Sequence, residues 1–302
     1  MGINLYRWLG MRKFVVCLPF MLAACETPEA IGPLTDNPAL YRFAVIGDYG
    51  NRGPVQEWAA DDMWTNDVRS ILTVGDNIYP DPSVQTYEAT ISPYFSYWLD
   101  EGRFLPALGN HDWNGPEGSL PYQRYFKRDR YYDVDLDPEG KVHVYVLDSD
   151  PREPDGTTST STQANWFRDR ITANRGRSCF HVVVFHHPIL STNVNPNTIC
   201  DGCEPHPEMD WNFESLGVDA VFVGHSHWAE RFTAHGLNHW TVGNTTHDID
   251  PDNFTRSPAS KFFRSASGYL LGEIGTNWLA LAYRFKGDRK PADLVVLQKT
   301  CQ

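Results

Sequence analysis

Short apolar runs recur along the chain, and each breaks off at a polar residue. R-F-A-V-I-G-D ends at Asp48, I-L-T-V-G-D at Asp76, F-L-P-A-L-G-N at Asn110, H-V-V-V-F-H at His186 and D-A-V-F-V-G-H at His225. Runs that are continuously apolar, rather than alternating, predict strands buried on both faces. Between them, V-Q-E-W-A-A-D-D-M-W-T-N-D-V from Val55 and Q-A-N-W-F-R-D-R-I from Gln163 carry helical spacing. Strand, helix, strand alternation predicts parallel pairing in α/β layers, with ligands collecting at the carboxyl ends of the strands. After His227 the texture changes to W-A-E-R-F-T-A, H-W-T-V-G-N, G-Y-L-L-G-E-I, W-L-A-L-A-Y-R-F and D-L-V-V-L-Q, with G-T-N and K-G-D as turns. These segments predict antiparallel hairpins that close the second half of the core. The expectation is an α/β fold, a sandwich of two mixed β-sheets flanked by helices, in one domain over 41–302.

Composition narrows the function. The chain has 302 residues, 41% hydrophobic and 21% charged, enough to bury one substantial core. Lys+Arg 26 against Asp+Glu 38 leaves a net charge of −12, which repels polyanions and argues against a nucleic-acid partner. Small phosphate esters stay possible as substrates where cations are bound locally.

Arg7, Arg12 and Lys13 precede the apolar run F-V-V-C-L-P-F-M-L-A-A-C, too short for a stable membrane span. Residues 1–24 therefore read as an export signal. Its end, Leu22-Ala23-Ala24-Cys25, resembles the bacterial lipoprotein signal, in which the cysteine is lipidated and becomes the mature N-terminus. The alternative is a plain secretory signal with an incidental cysteine. Glu26 after that cysteine points, by the same resemblance, to an outer-membrane or periplasm-facing lipoprotein. It would be attached through a lipid on Cys25 rather than by a transmembrane helix. Residues 25–40, rich in proline and polar groups, suit a tether. Without Cys17 and Cys25, the chain keeps Cys179, Cys200, Cys203 and Cys301, with three possible pairings. C-D-G-C at 200–203 has no second C-x-x-C to complete a zinc ribbon, so one or two disulfides are expected.

The strand ends supply Asp48, Asp76, Tyr79, Asn110, His186, His225 and His227. Singly, each has an ordinary reading as a turn former, a cap or a core-edge histidine. In series at successive strand ends they point to a metal cage. Oxygen and imidazole donors without thiolate suit iron, manganese or zinc. Two such ions about 3.5–4 Å apart form a site for in-line displacement at phosphorus. The blocks G-D-Y-G (47–50), G-D-N-I-Y (75–79), G-N-H-D (109–112), V-V-F-H (183–186) and G-H-S-H (224–227) resemble, in order, the signature blocks of the purple acid phosphatases. These belong to the calcineurin-like metallophosphoesterases, and the nearer comparison is with small single-domain members.

That resemblance implies a metallophosphoesterase sandwich in which Asp48, Asp76, Tyr79 and His227 hold Fe(III). Asp76, Asn110, His186 and His225 would hold a divalent Fe, Zn or Mn, with Asp76 bridging. It gives Tyr79 a purpose as a coloured tyrosinate ligand, which the wider superfamily generally lacks. It also implies an acid phosphatase that hydrolyses small phosphomonoesters by attack of a metal-activated hydroxide on phosphorus. His111, His187 and His206 are the candidates for contacting phosphate or protonating the leaving group. W-A-E-R at 228–231 and Q-A-N-W at 163–166 resemble family segments as well, whereas the polar loop Ser191–Pro207, read as a rim, departs from the family. His247 and Asp248 read as surface residues. The competing readings are a divalent-metal phosphodiesterase for nucleotides or lipid head groups, and a non-catalytic phosphate-binding surface protein. Peroxide cycling would be a side reaction.

Overall fold

A computed structural model describes residues 32–36, 39, 41–194, 205–246 and 254–301. The segment read as an export signal, Cys25, most of the segment read as a tether, Cys200, Cys203, His247 and Asp248 lie outside the described residues. The chain runs β1 (Tyr41–Ile46), α1 (Pro54–Thr65), β2 (Ser70–Thr73), α2 (Val84–Thr90), α3 (Ser92–Asp100), β3 (Phe104–Leu105), α4 (Leu120–Phe126), β4 (Tyr132–Asp135) and β5 (Val142–Val146). It continues with α5 (Thr162–Asn174), β6 (Phe180–Val184), β7 (Asn193–Val194), α6 (Phe213–Leu216), β8 (Ala220–Val223), β9 (Ala229–Ala234) and β10 (Leu237–Val242). The last strands are β11 (Phe254–Thr255), β12 (Ser260–Arg264), β13 (Gly268–Ile274), β14 (Trp278–Phe285) and β15 (Ala292–Gln298).

Two mixed sheets form the sandwich. One has the order β15-β14-β13-β1-β2-β3 and the other β12-β9-β10-β8-β6-β5-β4. β1, β2 and β3 pair in parallel, as do β5, β6, β8 and β10. The continuous apolar runs have a direct cause in this layering. Phe43, Val45, Leu72 and Val74 face Val144, Val146, Val182 and Val184 in the core between the sheets. Their neighbours Ala44, Ile46 and Ile71 point the other way, under Ala59 and Met63 of α1 and Phe95 of α3. On the outer face of the second sheet, Tyr145, Val183 and Val221 pack on Phe167 and Ile171 of α5 and Phe213 of α6. Successive residues of a strand point to opposite faces, so a strand covered on both needs no polar alternation.

Two expectations change in detail. The run F-L-P-A-L yields only the two-residue strand β3 at the edge of its sheet, where Pro106 is tolerated and the Ala107 N–H beyond it still donates to the Thr73 carbonyl (3.1 Å). The late strands do not close one half of the core, nor are they all antiparallel; β9, β10 and β12 extend the second sheet, with β10 antiparallel to β9 but parallel to β8, whereas β13, β14 and β15 extend the first. A disulfide joins Cys179 to Cys301 with the Cα atoms 5.2 Å apart, one of the pairings left open by the sequence. Among the described residues no helix is long and apolar enough to cross a membrane.

Candidate metal centre

The chain leaves β1, β2, β3, β6 and β8 at one edge of the sandwich, and the polar residues that end their runs meet there. Asp48, Asp76 and His225 have φ of 53°, 52° and 67°. Left-handed backbone is uncommon outside glycine, and it persists only where the surroundings hold it. Here the turns hold one another: Asp48 N–H donates to the Gly75 carbonyl (3.1 Å), Gly50 N–H to the Asp76 carbonyl (3.2 Å) and Gly224 N–H to the His186 carbonyl (2.8 Å). Close approach explains the paired glycines. A Cβ on Gly75, itself at φ 95°, would lie 2.6 Å from His186 Nδ1, and one on Gly109 would collide with the Asp76 backbone nitrogen and carboxylate.

Donor atoms converge between these turns. Those of Asp48, Asp76 and His186 lie within 4.8 Å of one another, as do those of His186, His187 and His225. Asp76 faces both ways: its Oδ2 accepts from the Tyr79 hydroxyl (2.9 Å), and its Oδ1 lies 3.4 Å from His186 Nε2. Asp48 Oδ1 lies 3.3 Å from His227 Nε2 and accepts from the Tyr79 hydroxyl at 3.4 Å. Asn110 Oδ1 lies 2.9 Å from His186 Nε2. His186 Nδ1 sits 2.7 Å from the Val74 carbonyl, which can only accept, so Nδ1 carries a proton and Nε2 is the nitrogen aimed into the site.

The electrostatics are those of carboxylates concentrated in a buried space. Burial works against charge on His186, yet Asp76 and Asp48 beside it push its pKa up to about 10. Burial also opposes ionisation of Asp76, but His186 and His111 hold its carboxyl well below the ordinary range. Burial, then Asp48 and Asp76, raise the Tyr79 phenol far above its usual value. His225 is pulled down to about 3 by burial and by the charge of His186. Such a field favours cations, and the oxygen and imidazole donors fit first-row metals.

The other predicted residues line the same edge. His111 packs its ring 4.4 Å from that of Tyr79, and its backbone N–H donates to Asp76 Oδ1 (2.9 Å). His206 stands 4.4 Å, ring to ring, from His187, with Nδ1 2.9 Å from Glu208 Oε1. His187 Nδ1 lies 2.8 Å from Ser149 Oγ.

Several supporting residues were not singled out from the sequence. Asp112 is fully buried and accepts from Gly109 N–H (2.8 Å), Asn77 Nδ2 (2.9 Å) and the Tyr87 hydroxyl (2.7 Å), which locks the turn after β2 to the turn after β3. Asn77 also accepts from the Tyr49 and Thr73 hydroxyls (2.8 and 2.6 Å). Both stand inside the quoted blocks, so their polarity at a strand end was the available signal. Thr246 donates its hydroxyl to the Asp48 carbonyl (2.7 Å). Gln163, in the Q-A-N-W segment, accepts from Asp148 N–H (2.8 Å) and donates to its carbonyl (2.9 Å), fixing the end of β5 that carries Ser149.

The pattern of the calcineurin-like phosphoesterase family matches residues 37–229, a span that contains every candidate ligand, and the chain belongs to that family. It is thus a metallophosphoesterase with the α/β fold of hydrolases that act on phosphoesters. Similar solved structures include GAP50, the anchor in the inner membrane complex of Plasmodium, at 15% identity and TM-score 0.68, covering 87% of this chain and 90% of that one. A purple acid phosphatase from yellow lupin (Lupinus luteus) seeds is also 15% identical, with TM-score 0.64, over 85% of this chain and 53% of the lupin chain. A dimetal phosphatase from Danio rerio follows at 13% identity and TM-score 0.54, over 87% and 100%. At such identities the likeness is one of fold. No curated protein matches the sequence.

Proposed function

We propose that this chain is a binuclear metal-dependent phosphatase of the purple acid type that hydrolyses phosphomonoesters. The observation that carries the reading is the two-sided Asp76 carboxylate, with Tyr79 at Oδ2 and His186 at Oδ1. Asp48, Tyr79 and His227 would hold Fe(III) on one side; Asn110, His186 and His225 would hold a divalent Fe, Zn or Mn on the other, with Asp76 shared. When bound, the two ions neutralise the phosphate and lower the pKa of water.

The chain's own residues then supply position and protons. His206, oriented by Glu208 and partly exposed at the rim, donates the proton to the leaving oxygen. His111, with its backbone tied to Asp76, contacts the phosphoryl group. The structural neighbours include a membrane-complex anchor as well as phosphatases, so the fold does not decide for catalysis. The filled ligand set favours it.

An exported lipoprotein held by Cys25, with a tether over 25–40 and a catalytic domain over 41–302, is the accompanying proposal for localisation, and a small phosphorylated molecule is the proposed substrate. Two assays test the function. The aerobically purified protein is expected to show a violet to pink charge-transfer band that vanishes in Tyr79→Phe, and to turn over nitrophenyl phosphate in preference to its bis-nitrophenyl diester. A colourless, fully metallated protein that prefers the diester would replace this reading with a divalent-metal phosphodiesterase.

A further inference from the structure

His187 directly follows the candidate ligand His186, and along a strand such neighbours would point to opposite faces. β6 has already ended at Val184, and the bend at 186–187 brings both imidazoles to the same cluster. The rings of His187 and His225 are 4.5 Å apart and those of His186 and His187 5.0 Å. The donor atoms of all three histidines lie within 4.8 Å of one another. Donors on opposite sides of one ion stand about 4.2 Å apart when each metal–nitrogen bond is about 2.1 Å. A separation of no more than 4.8 Å is compatible with that.

We infer that His187 is a further ligand of the second metal position, which would make its donor set three imidazoles with Asn110 and Asp76. The inference rests on the binuclear reading above. Its physical support is the orientation of the ring. Ser149 Oγ accepts from the His187 backbone N–H (2.9 Å) and lies 2.8 Å from the ring Nδ1. Metal-bound histidines characteristically donate their second ring N–H to an oxygen, which fixes the tautomer and aims the other nitrogen. Ser149 is placed for this by the parallel register of β5 on β6, with Val146 opposite Val184 and Leu147 N–H on the Val184 carbonyl (2.8 Å).

A proton donor would need to meet the leaving group at the mouth of the site. His187 is only 4% exposed, whereas the His206 side chain is 21% exposed and has Glu208 behind it. The ring arrangement therefore separates the two histidines by role: His187 toward the metal and His206 toward the leaving group.

The test is zinc titration of the metal-stripped full chain against a chromophoric chelator, with cobalt spectra on the same proteins. The unsubstituted chain is expected to take two equivalents. In His187→Asn the weaker equivalent should lose affinity by 10-fold to 100-fold or more, and the cobalt bands should move toward fewer nitrogen donors, with the tighter equivalent unchanged. Ser149→Ala retains the imidazole and should weaken the same equivalent by about 10-fold, which keeps the test intact if His187→Asn misfolds. Two equivalents bound by both variants with unaltered affinity and spectrum, even alongside reduced turnover, would overturn the inference while sparing the binuclear reading. A single equivalent in the unsubstituted chain would overturn both.

Discussion

Left-handed backbone costs Asp48, Asp76 and His225 on the order of 1 kcal/mol each or more, and each projects its side chain into the centre because of it. Asp76→Ala is expected to reduce turnover to near background while the far-ultraviolet circular dichroism stays that of the folded chain; an active Asp76→Ala enzyme would rule out the shared-carboxylate mechanism. Gly75→Ala tests the scaffold rather than the chemistry. Its Cβ would press on His186 Nδ1 at a φ that L-residues avoid, so the variant should lose about 1–3 kcal/mol of stability and bind metal more weakly. Thermal melting and metal content read the two effects separately. At this scale the sequence was informative wherever a polar residue ended an apolar run. Ser149 was invisible because its importance lies in His187, 38 residues away and reached only by folding; Glu208 stands two residues from His206, and nothing in the pattern of apolar runs marked it.

Residues 195–204 of the loop read as a rim lie outside the described residues, but the start of that loop is held by its neighbours. Ser191 and Thr192 lead into β7, which pairs with β11, Val194 opposite Phe254, and so ties the rim loop to the segment before β12. Beneath it, the fully buried Glu230 of β9 accepts from the hydroxyl of Thr192 and from Trp228 Nε1 (2.8 Å). Glu230→Ala would strand both donors, at a cost of about 1–3 kcal/mol. Because the loop rather than the metal cage is loosened, KM for nitrophenyl phosphate should rise more than kcat falls; equal loss of kcat with unchanged KM would place Glu230's effect in the cage instead. The W-A-E-R segment was legible as a family resemblance, but its purpose was not, since Thr192 lies 38 residues away. Helices α1 and α5 and the parallel strands β1, β2, β6 and β8 were readable from their patterns; α2, α3, α4, the parallel strand β5 and the assignment of the late strands to two different sheets were not.

Across the whole molecule, the Cys179–Cys301 bond links the start of β6 in one sheet to the residues beyond β15 in the other, at the edge opposite the metal centre. Its removal by Cys179→Ser with Cys301→Ser should lower stability by about 2–5 kcal/mol and leave kcat unchanged below the new melting temperature. Acid acts through buried imidazoles. His239 on β10 is pushed down to about 4 by burial, with the Asp210 carboxylate opposing this and His235 adding to it. The unfolded chain, titrating at its ordinary value of about 6.5, takes up a proton that the folded chain refuses. The stability that neutral His239 contributes is therefore present above about 6.5 and lost as pH falls toward 4. His239→Gln should flatten the decline of melting temperature between pH 7 and 4; an unchanged slope would show that His239 does not set it.

The sequence by itself determined the α/β class, the order of the ligand blocks and the residue types of the cage, because strand burial writes continuous apolar runs and metal chemistry restricts donors to a few side chains. Tertiary structure alone decided which of the possible cysteine pairs forms within the described residues, how the late strands divide between the sheets, and that His187 stands with His186 and His225. Each of these depends on distances between segments remote in the chain. Periodicity and composition are local quantities, and they hold no record of which remote segments the closing of the sandwich brings together.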